Sequence, residues 1–290
     1  GAAGELTIAG YPLEELAGLP SITLDGTAIR LLANIEFARE AKSVVDLGGS
    51  GVGLFRTEFL WLTSDHEPTE EEQFEAYSRA VRDLEGLPIT FRTFDLGADK
   101  MTPDGAMSDE RNPFLGLRSI RYCLQNLPMF KRQLRAILRA SALGPCRIMF
   151  PLVTTTLELR QAKMVLRDVM DDLADEGVAF DRKVGVGVMV EAPSAAVMAN
   201  SFARESEFLS IGTNDLVQYV LAVDRTNENV ASLYTPSHPA VLRLIKETVR
   251  SGRREGVDVS VCGEIAGDVE YTMLLIGMGL RTLSMTPSAI

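Results

Sequence analysis

The feature that most constrains the fold is an alternation. Eight short apolar segments, IRLLANI, GVGLFRT, LPITFRTFDLG, CRIMFPLV, VGVGVMVEAP, FLSIGTND, VDVSVCGE and RTLSMTPS, are separated by stretches of helical character. Those stretches include residues 36–45, 69–84, 156–176, 239–255 and 269–277, with Gly or Pro near several ends. Strands joined through helices pair in parallel, because each return needs a crossover, and eight such units close a (β/α)8 TIM barrel. A chain of 290 residues suits one such α/β barrel, for which about 250 residues is typical.

The expected organisation is a Gly-, Pro- and Leu-rich lead-in over residues 1–26, with a short helical candidate around Leu13 to Leu16, followed by a barrel domain over residues 27–290. The sequence stops at Ile290, where an eighth helix is expected to begin, so the barrel is expected to lack its last helix. The longest insertion follows the third strand. There ADKMTPDGAMSDERNPFLG makes a polar loop, and two helices divided near Pro128 come after it. On the carboxyl side of a barrel such a loop is expected to form a lid or a site wall.

Composition excludes several classes. No apolar run is long enough to span a membrane, and the N-terminus shows no basic region followed by an apolar core and a cleavage site, so a cytoplasmic protein without membrane insertion is expected. A net charge of -11 argues against nonspecific nucleic-acid binding, which needs clustered cations, and leaves room for an acidic metal site. Cys123, Cys146 and Cys262 are far apart and form no C-x-x-C, which favours reduced thiols over a disulfide framework or a zinc site. Two histidines cannot build a His-rich metal centre.

Barrel active sites are built at the carboxyl ends of strands. Those ends carry Arg56, Arg92, Glu191, Asn214, Asp215 and Cys262, and Arg225 follows one helical segment after Asp215. Arginines beside carboxylates do not suit an apolar ligand, because each buried charge must be paired. Arginine's planar fork matches phosphate and carboxylate oxygens, so Arg56, Arg92 and Arg225 suit a small polyanion, with phosphate the natural candidate. Glu191 and Asp215 offer only oxygen ligands, which favours a hard cation such as Mg²⁺.

Each residue also has a plainer role. Thr213, Asn214 or Asp215 can cap the following helix, and Arg56 can pair with neighbouring Glu58. Arg118 and Arg121 can belong to a solvated helix face, although Arg118 directly follows the long loop. Cys262 can be a small buried hydrophobe and the methionines core filler. His66 and His238 read as surface residues.

Taken together, GVGLFRTEFLWL, PTEEEQFEAY, FRTFDLGADK, RNPFLGLRSIR, FKRQLRAILRAS, RIMFPLV, VGVMVEAPSAA, FLSIGTNDLVQYVLAVDR and CGEIAGD resemble the C-terminal, phosphoenolpyruvate-binding domain of the Enzyme I family of the bacterial phosphoenolpyruvate:sugar phosphotransferase system. The resemblance runs from about Leu19 to the end, and RTEFL and PTEEEQF favour Enzyme I over pyruvate phosphate dikinase and phosphoenolpyruvate synthase. It implies that Arg56, Arg92, Arg225, Asn214 and the backbone at Asp215 bind phosphoenolpyruvate, that Glu191 and Asp215 hold Mg²⁺, and that Cys262 protonates the enolate. It further implies a homodimer and transfer of the phosphoryl group to a histidine on an N-terminal domain, then to the carrier protein HPr, with pyruvate as product.

The sequence departs from the family in three places. Gly97-Ala98-Asp99-Lys100 stands where the family usually reads G-G-D-K, the histidine-bearing N-terminal domains are absent, and so is the tail after the eighth strand. A fragment that is not active alone, or a truncated relative, is expected. The alternatives are the barrel of a dikinase or synthase, and a sensor that binds phosphoenolpyruvate without turning it over, for which the proton donor Cys262 has no use.

Overall fold

The structure is a computed structural model that describes residues 7–8, 11–12, 19–96 and 111–290. Eight strands close a barrel: β1 (Arg30–Ile35), β2 (Val52–Arg56), β3 (Ile89–Arg92), β4 (Cys146–Phe150), β5 (Gly185–Val190), β6 (Phe208–Ile211), β7 (Asp258–Val261) and β8 (Thr282–Met285). All pairings are parallel, and β8 returns to β1 through Arg30↔Thr282. Each of the eight apolar segments of the sequence supplies one strand. An antiparallel pairing of Thr7–Ile8 with Tyr11–Pro12 comes before the barrel in the chain. The helical candidate at Leu13 to Leu16 lies outside the described residues.

The helices are α1 (Ala41–Asp46), α2 (Phe59–Leu62), α3 (Glu70–Asp83), α4 (Ser119–Gln125), α5 (Leu127–Ser141), α6 (Thr156–Asp175), α7 (Pro193–Val197), α8 (Ala199–Arg204), α9 (Thr213–Leu221), α10 (Pro239–Glu255) and α11 (Val269–Gly277). Sequence chemistry sets their starts. Thr69 and Thr155 each accept from the backbone N–H three residues on, while Glu72 and Glu158 reach back to the cap, closing capping boxes. Pro128 sits in the first turn of α5, where its missing N–H costs nothing, so the expected break falls between α4 and α5. After β8 the chain makes a single 3-10 turn at Pro287–Ala289.

Two apolar clusters divide the packing. The large one lies between barrel and helices, with Phe55, Tyr77, Phe91 and Phe130 fully buried in it. A smaller one, Leu54, Met149, Met189, Phe208 and Cys262, fills the barrel's interior. Met149 and Met189 are therefore core filler, and Cys262 is packed among apolar side chains at the top of that column.

Strand register brings the chemistry together. Arg56 pairs with Arg92 across β2 and β3, so the two guanidinium-bearing residues leave the barrel at one level. Val190 pairs with Ile211 and Ile211 with Val261, which sets Glu191, Gly212 and Cys262 side by side at the ends of β5, β6 and β7.

Candidate active site

A cavity of about 320 Å³ opens at the carboxyl ends of the strands, and Arg56, Arg92, Glu191, Asn214, Asp215, Arg225 and Cys262 all line it. Residues singled out from the ends of five strands, with Arg225 one helix further on, thus share one concave surface. Glu58, Asp95 and Arg118 line it too, as do Pro113 and Phe114, so the described end of the long insertion forms a wall of the site. The Gly97 to Lys100 stretch, with its Ala98 departure, lies outside the described residues.

A chain of ion pairs crosses the floor. Arg92 bonds Glu58 and contacts Asp95 Oδ2 at 2.7 Å through Nη1. Asp95 Oδ1 then accepts from Arg118 Nη2 at 3.0 Å, and the same nitrogen donates to Asp215 Oδ2 at 3.1 Å. Arg92, Arg118, Asp95, Asp215 and Glu58 are all buried. Arg92 Nε is buried and has no partner among the described residues.

The rim is more open. Arg225 is half-exposed and stands 3.9 Å from both Asp215 and Glu264. Arg56, also half-exposed, pairs with Glu36 at 3.1 Å. The neighbouring Glu58 pairs with Arg92 instead, so the simple Arg56–Glu58 pair is not formed. Helix capping does not explain GTND either: Gly212 occupies the cap position of α9 and no side chain caps it. Asn214 reaches across to the next strand end, donating to Glu264 Oε1 at 2.9 Å and accepting from Glu264 N at 3.0 Å.

The surroundings hold these groups in place. Gln133 from α5 accepts from Phe94 N at 2.8 Å and donates to Thr57 Oγ1 at 3.0 Å, and Thr57 in turn donates to the Arg92 carbonyl at 2.8 Å. The Arg92 carbonyl and the Phe94 N–H just beyond β3 are thereby satisfied by side chains. Leu152 has a left-handed φ of 49°, which turns its N–H onto Glu191 Oε1 at 2.6 Å. Ser119, with φ of 53°, bonds Asp95 through its hydroxyl. Such conformations cost about 1–3 kcal/mol each and persist where the surroundings over-determine them.

Electrostatics separates the carboxylates. Burial, with Asp215 and Asp95 nearby, pushes Glu191 up to about 8. Glu58 is raised as well, by burial first. Asp95 goes the other way: burial opposes its charge, but Arg92, Arg118 and the Ser119 hydroxyl hold it well below the ordinary range. Burial pushes the Cys262 thiol up to about 11, against a lowering hydrogen bond from Ser210, so the thiol keeps its proton at neutral pH.

Among the described residues no three His, Cys, Asp or Glu side chains converge as a closed metal site. Glu191 and Asp215 nevertheless suit a hard divalent cation that keeps waters and takes further ligands from a substrate. Glu191 is raised by burial first and by the Asp215 and Asp95 carboxyl groups second, and a cation held by Glu191 and Asp215 would offset that second contribution. Gly212 keeps the space beside it open, since a Cβ there would stand 2.8 Å from Glu191 Oε2.

Of the other candidates, Arg121 turns away to the Leu115 and Gly116 carbonyls. His66 is exposed and paired with Glu72, and His238 caps α10 by accepting from Ala240 N. Alongside Glu58, read only as a partner for Arg56, Asp95 is the cavity carboxylate that sequence reasoning missed. Its signal is position: it stands three residues after Arg92, just past the strand.

The fold and the site define a class of protein, and comparison with known sequences agrees. Residues 12–290 match the family described as PEP-utilising enzyme, PEP-binding domain, and the chain belongs to that family. Relatives named phosphoenolpyruvate-protein phosphotransferase are 49% identical over 96% of this chain in Cupriavidus necator, 46% over 95% in Priestia megaterium and 45% over 95% in Bacillus subtilis. The chain spans about half the length of these relatives, 48% in each case. Among solved structures, a citrate lyase from Burkholderia xenovorans is similar with a TM-score of 0.55 at 18% identity, covering 90% of this chain and 73% of its own. A Haloferax volcanii malate synthase is similar with a TM-score of 0.54 at 13% identity, covering 90% and 66%. At such identities these two bear on the barrel fold alone.

Proposed function

We propose that this chain is the phosphoenolpyruvate-binding, phosphoryl-transferring barrel of a phosphoenolpyruvate-protein phosphotransferase. It passes the phosphoryl group to a histidine on a separate N-terminal domain and from there to HPr, and it releases pyruvate. The observation that carries the reading is the convergence of Arg56, Arg92, Arg118 and Arg225 with Glu191, Asp215 and Cys262 on one cavity at the barrel mouth. In this reading the barrel domain begins near residue 27, and the whole protein is a cytoplasmic homodimer that serves sugar transport.

Arg56, Arg92 and Arg225, with Asn214 and the backbone at Asp215, clamp the phosphate and carboxylate of the substrate. Glu191 and Asp215 hold Mg²⁺, which when bound neutralises charge on the transferring group. The barrel's own contribution is positioning and charge stabilisation, as phosphoryl transfer requires. As the C–O–P linkage breaks at the bridging P–O bond, the phosphorus bonds to the histidine nitrogen and the electron pair stays with the enolate oxygen. Cys262 then gives its proton to C3. A thiol near 11 remains protonated until then, and the thiolate left behind faces Arg92 and Arg56, both of which favour it.

The test is reconstitution. Neither histidine is a suitable acceptor: His66 is tied to Glu72, and His238 Nδ1 accepts from the backbone of α10. The chain alone is expected to release no pyruvate at an enzymatic rate, because no acceptor stands in line at near-attack distance. Adding a histidine-bearing domain as a separate polypeptide restores release, at a rate rising with its concentration. Robust release by the barrel alone, abolished by His66→Ala or His238→Ala, overturns the proposal.

A further inference from the structure

The cation site read into Glu191 and Asp215 already has an occupant on one oxygen. Arg118 Nη2 reaches Asp215 Oδ2 at 3.1 Å while also bonding Asp95 Oδ1 at 3.0 Å. Its other nitrogen, Nη1, donates to the Tyr219 hydroxyl at 3.3 Å, and Tyr219 in turn bonds the Phe114 carbonyl. The guanidinium lies 5.7 Å from the centre of the Phe114 ring. Arg118 is therefore buried and held from three sides, at the position where the long insertion enters α4.

Charge explains why it reaches Asp215 at all. The buried lining brings four carboxyl groups, Glu58, Asp95, Glu191 and Asp215, beside two guanidiniums, Arg92 and Arg118; burial raises Glu58 and Glu191, and Arg118 touches the other two, Asp95 and Asp215. Both oxygens of Asp95 are taken, one by each arginine, so Asp95 alone satisfies neither charge. Shared between Asp95 and Asp215, the Arg118 guanidinium stands as one positive charge between two carboxylates. Because Arg118 keeps Asp95 when it leaves Asp215, letting go costs one contact rather than all of them.

We infer that Arg118 is a built-in competitor for the cation site. In the substrate-free protein its guanidinium neutralises Asp215 at Oδ2, while Oδ1 stands 3.9 Å from Arg225, and a divalent cation that uses Oδ2 must take that oxygen from Arg118. An anion arriving in the cavity offers the guanidinium another acceptor, so substrate relieves the competition and cation affinity becomes coupled to substrate. Arg118 is a positioning residue in this account. The inference rests on the proposed reading of Glu191 and Asp215 as cation ligands.

The probe is Mn²⁺, which accepts the same oxygen ligands, titrated calorimetrically into the full chain with and without phosphoenolpyruvate. Removing the competitor in Arg118→Met tightens Mn²⁺ binding without substrate by roughly tenfold, and the factor by which phosphoenolpyruvate tightens Mn²⁺ falls by about as much. Tyr219→Phe keeps the charge but loosens its hold, and tightens Mn²⁺ by roughly two- to threefold. A wild-type value in Tyr219→Phe means that Arg118 acts only through its field, and overturns competition. Unchanged or weaker Mn²⁺ binding in Arg118→Met, or an unchanged substrate coupling, also overturns it. Should Arg118→Met lose its cooperative thermal melt, Tyr219→Phe decides. Wild-type protein that binds no Mn²⁺ under either condition rejects the cation site itself, and the inference with it.

Discussion

Replacing Asp95 by Asn probes the centre of the ion-pair chain. Asp95 is buried and divides its oxygens between Arg92 Nη1 at 2.7 Å and Arg118 Nη2 at 3.0 Å. Asparagine keeps the shape but turns an amide donor toward one guanidinium and leaves two buried cations short of a counter-charge. Breaking a buried pair from one side costs about 3–5 kcal/mol. Some of that returns, because Asp95 also raises Glu58 and Glu191 and its removal relieves both. We expect about 3 kcal/mol at pH 7, the lower end of the range. With a urea m-value of roughly 3 kcal/mol/M the unfolding midpoint falls by about 1 M. The pH dependence has a definite sign. Asp95 is depressed in the folded state, so its contribution is fully present above the unfolded value of about 3.9 and is lost as pH falls through the lower folded value. The gap between wild type and variant should be flat from neutral pH to about 5 and shrink below about 4. A gap under about 1 kcal/mol at pH 7, the scale of an exposed pair, would refute the reasoning. So would a gap that widens in acid.

Other outcomes follow from the same geometry. Cys262→Ala is expected to keep phosphoenolpyruvate affinity within about twofold while abolishing pyruvate formation in the reconstituted system, since the thiol acts after the clamp; wild-type turnover would return Cys262 to a packing role. Alkylation of Cys262 should be slow at pH 8 and accelerate toward pH 11, because burial holds the thiol near 11; rapid labelling at neutral pH contradicts this. Gly263→Ala places a Cβ 1.7 Å from Thr213 Oγ1 and 2.9 Å from Thr213 N, a backbone atom that cannot step aside. It should cost about 1–3 kcal/mol in urea unfolding, and an unchanged midpoint would show that the ends of β6 and β7 can separate freely.

The fold was legible because it is written in period. Each apolar segment became a strand, and Thr69, Thr155, Pro128 and Pro239 marked helix starts by chemistry that needs no tertiary contact. The site was legible at the level of strand ends: parallel register carries Arg56 and Arg92, and then Glu191, Gly212 and Cys262, to one rim. Pairing within the site was not. Arg56 stands two residues from Glu58, yet a strand followed by a turn sends their side chains apart, and Arg56 meets Glu36 while Glu58 meets Arg92. The link between Arg118 and Asp215 joins residues 97 positions apart, and only barrel closure makes them neighbours. No local pattern carries that information.

In the function proposed, the mouth cavity binds phosphoenolpyruvate through its arginines together with a cation on Glu191 and Asp215. Titration calorimetry of phosphoenolpyruvate into the chain, in Mg²⁺ and again in excess chelator, tests it most directly. Saturable single-site binding is expected in Mg²⁺, with its loss in chelator and its loss in Arg92→Ala and Glu191→Gln even with Mg²⁺ present. Equal affinity with and without the metal, or wild-type affinity in Glu191→Gln, would contradict it.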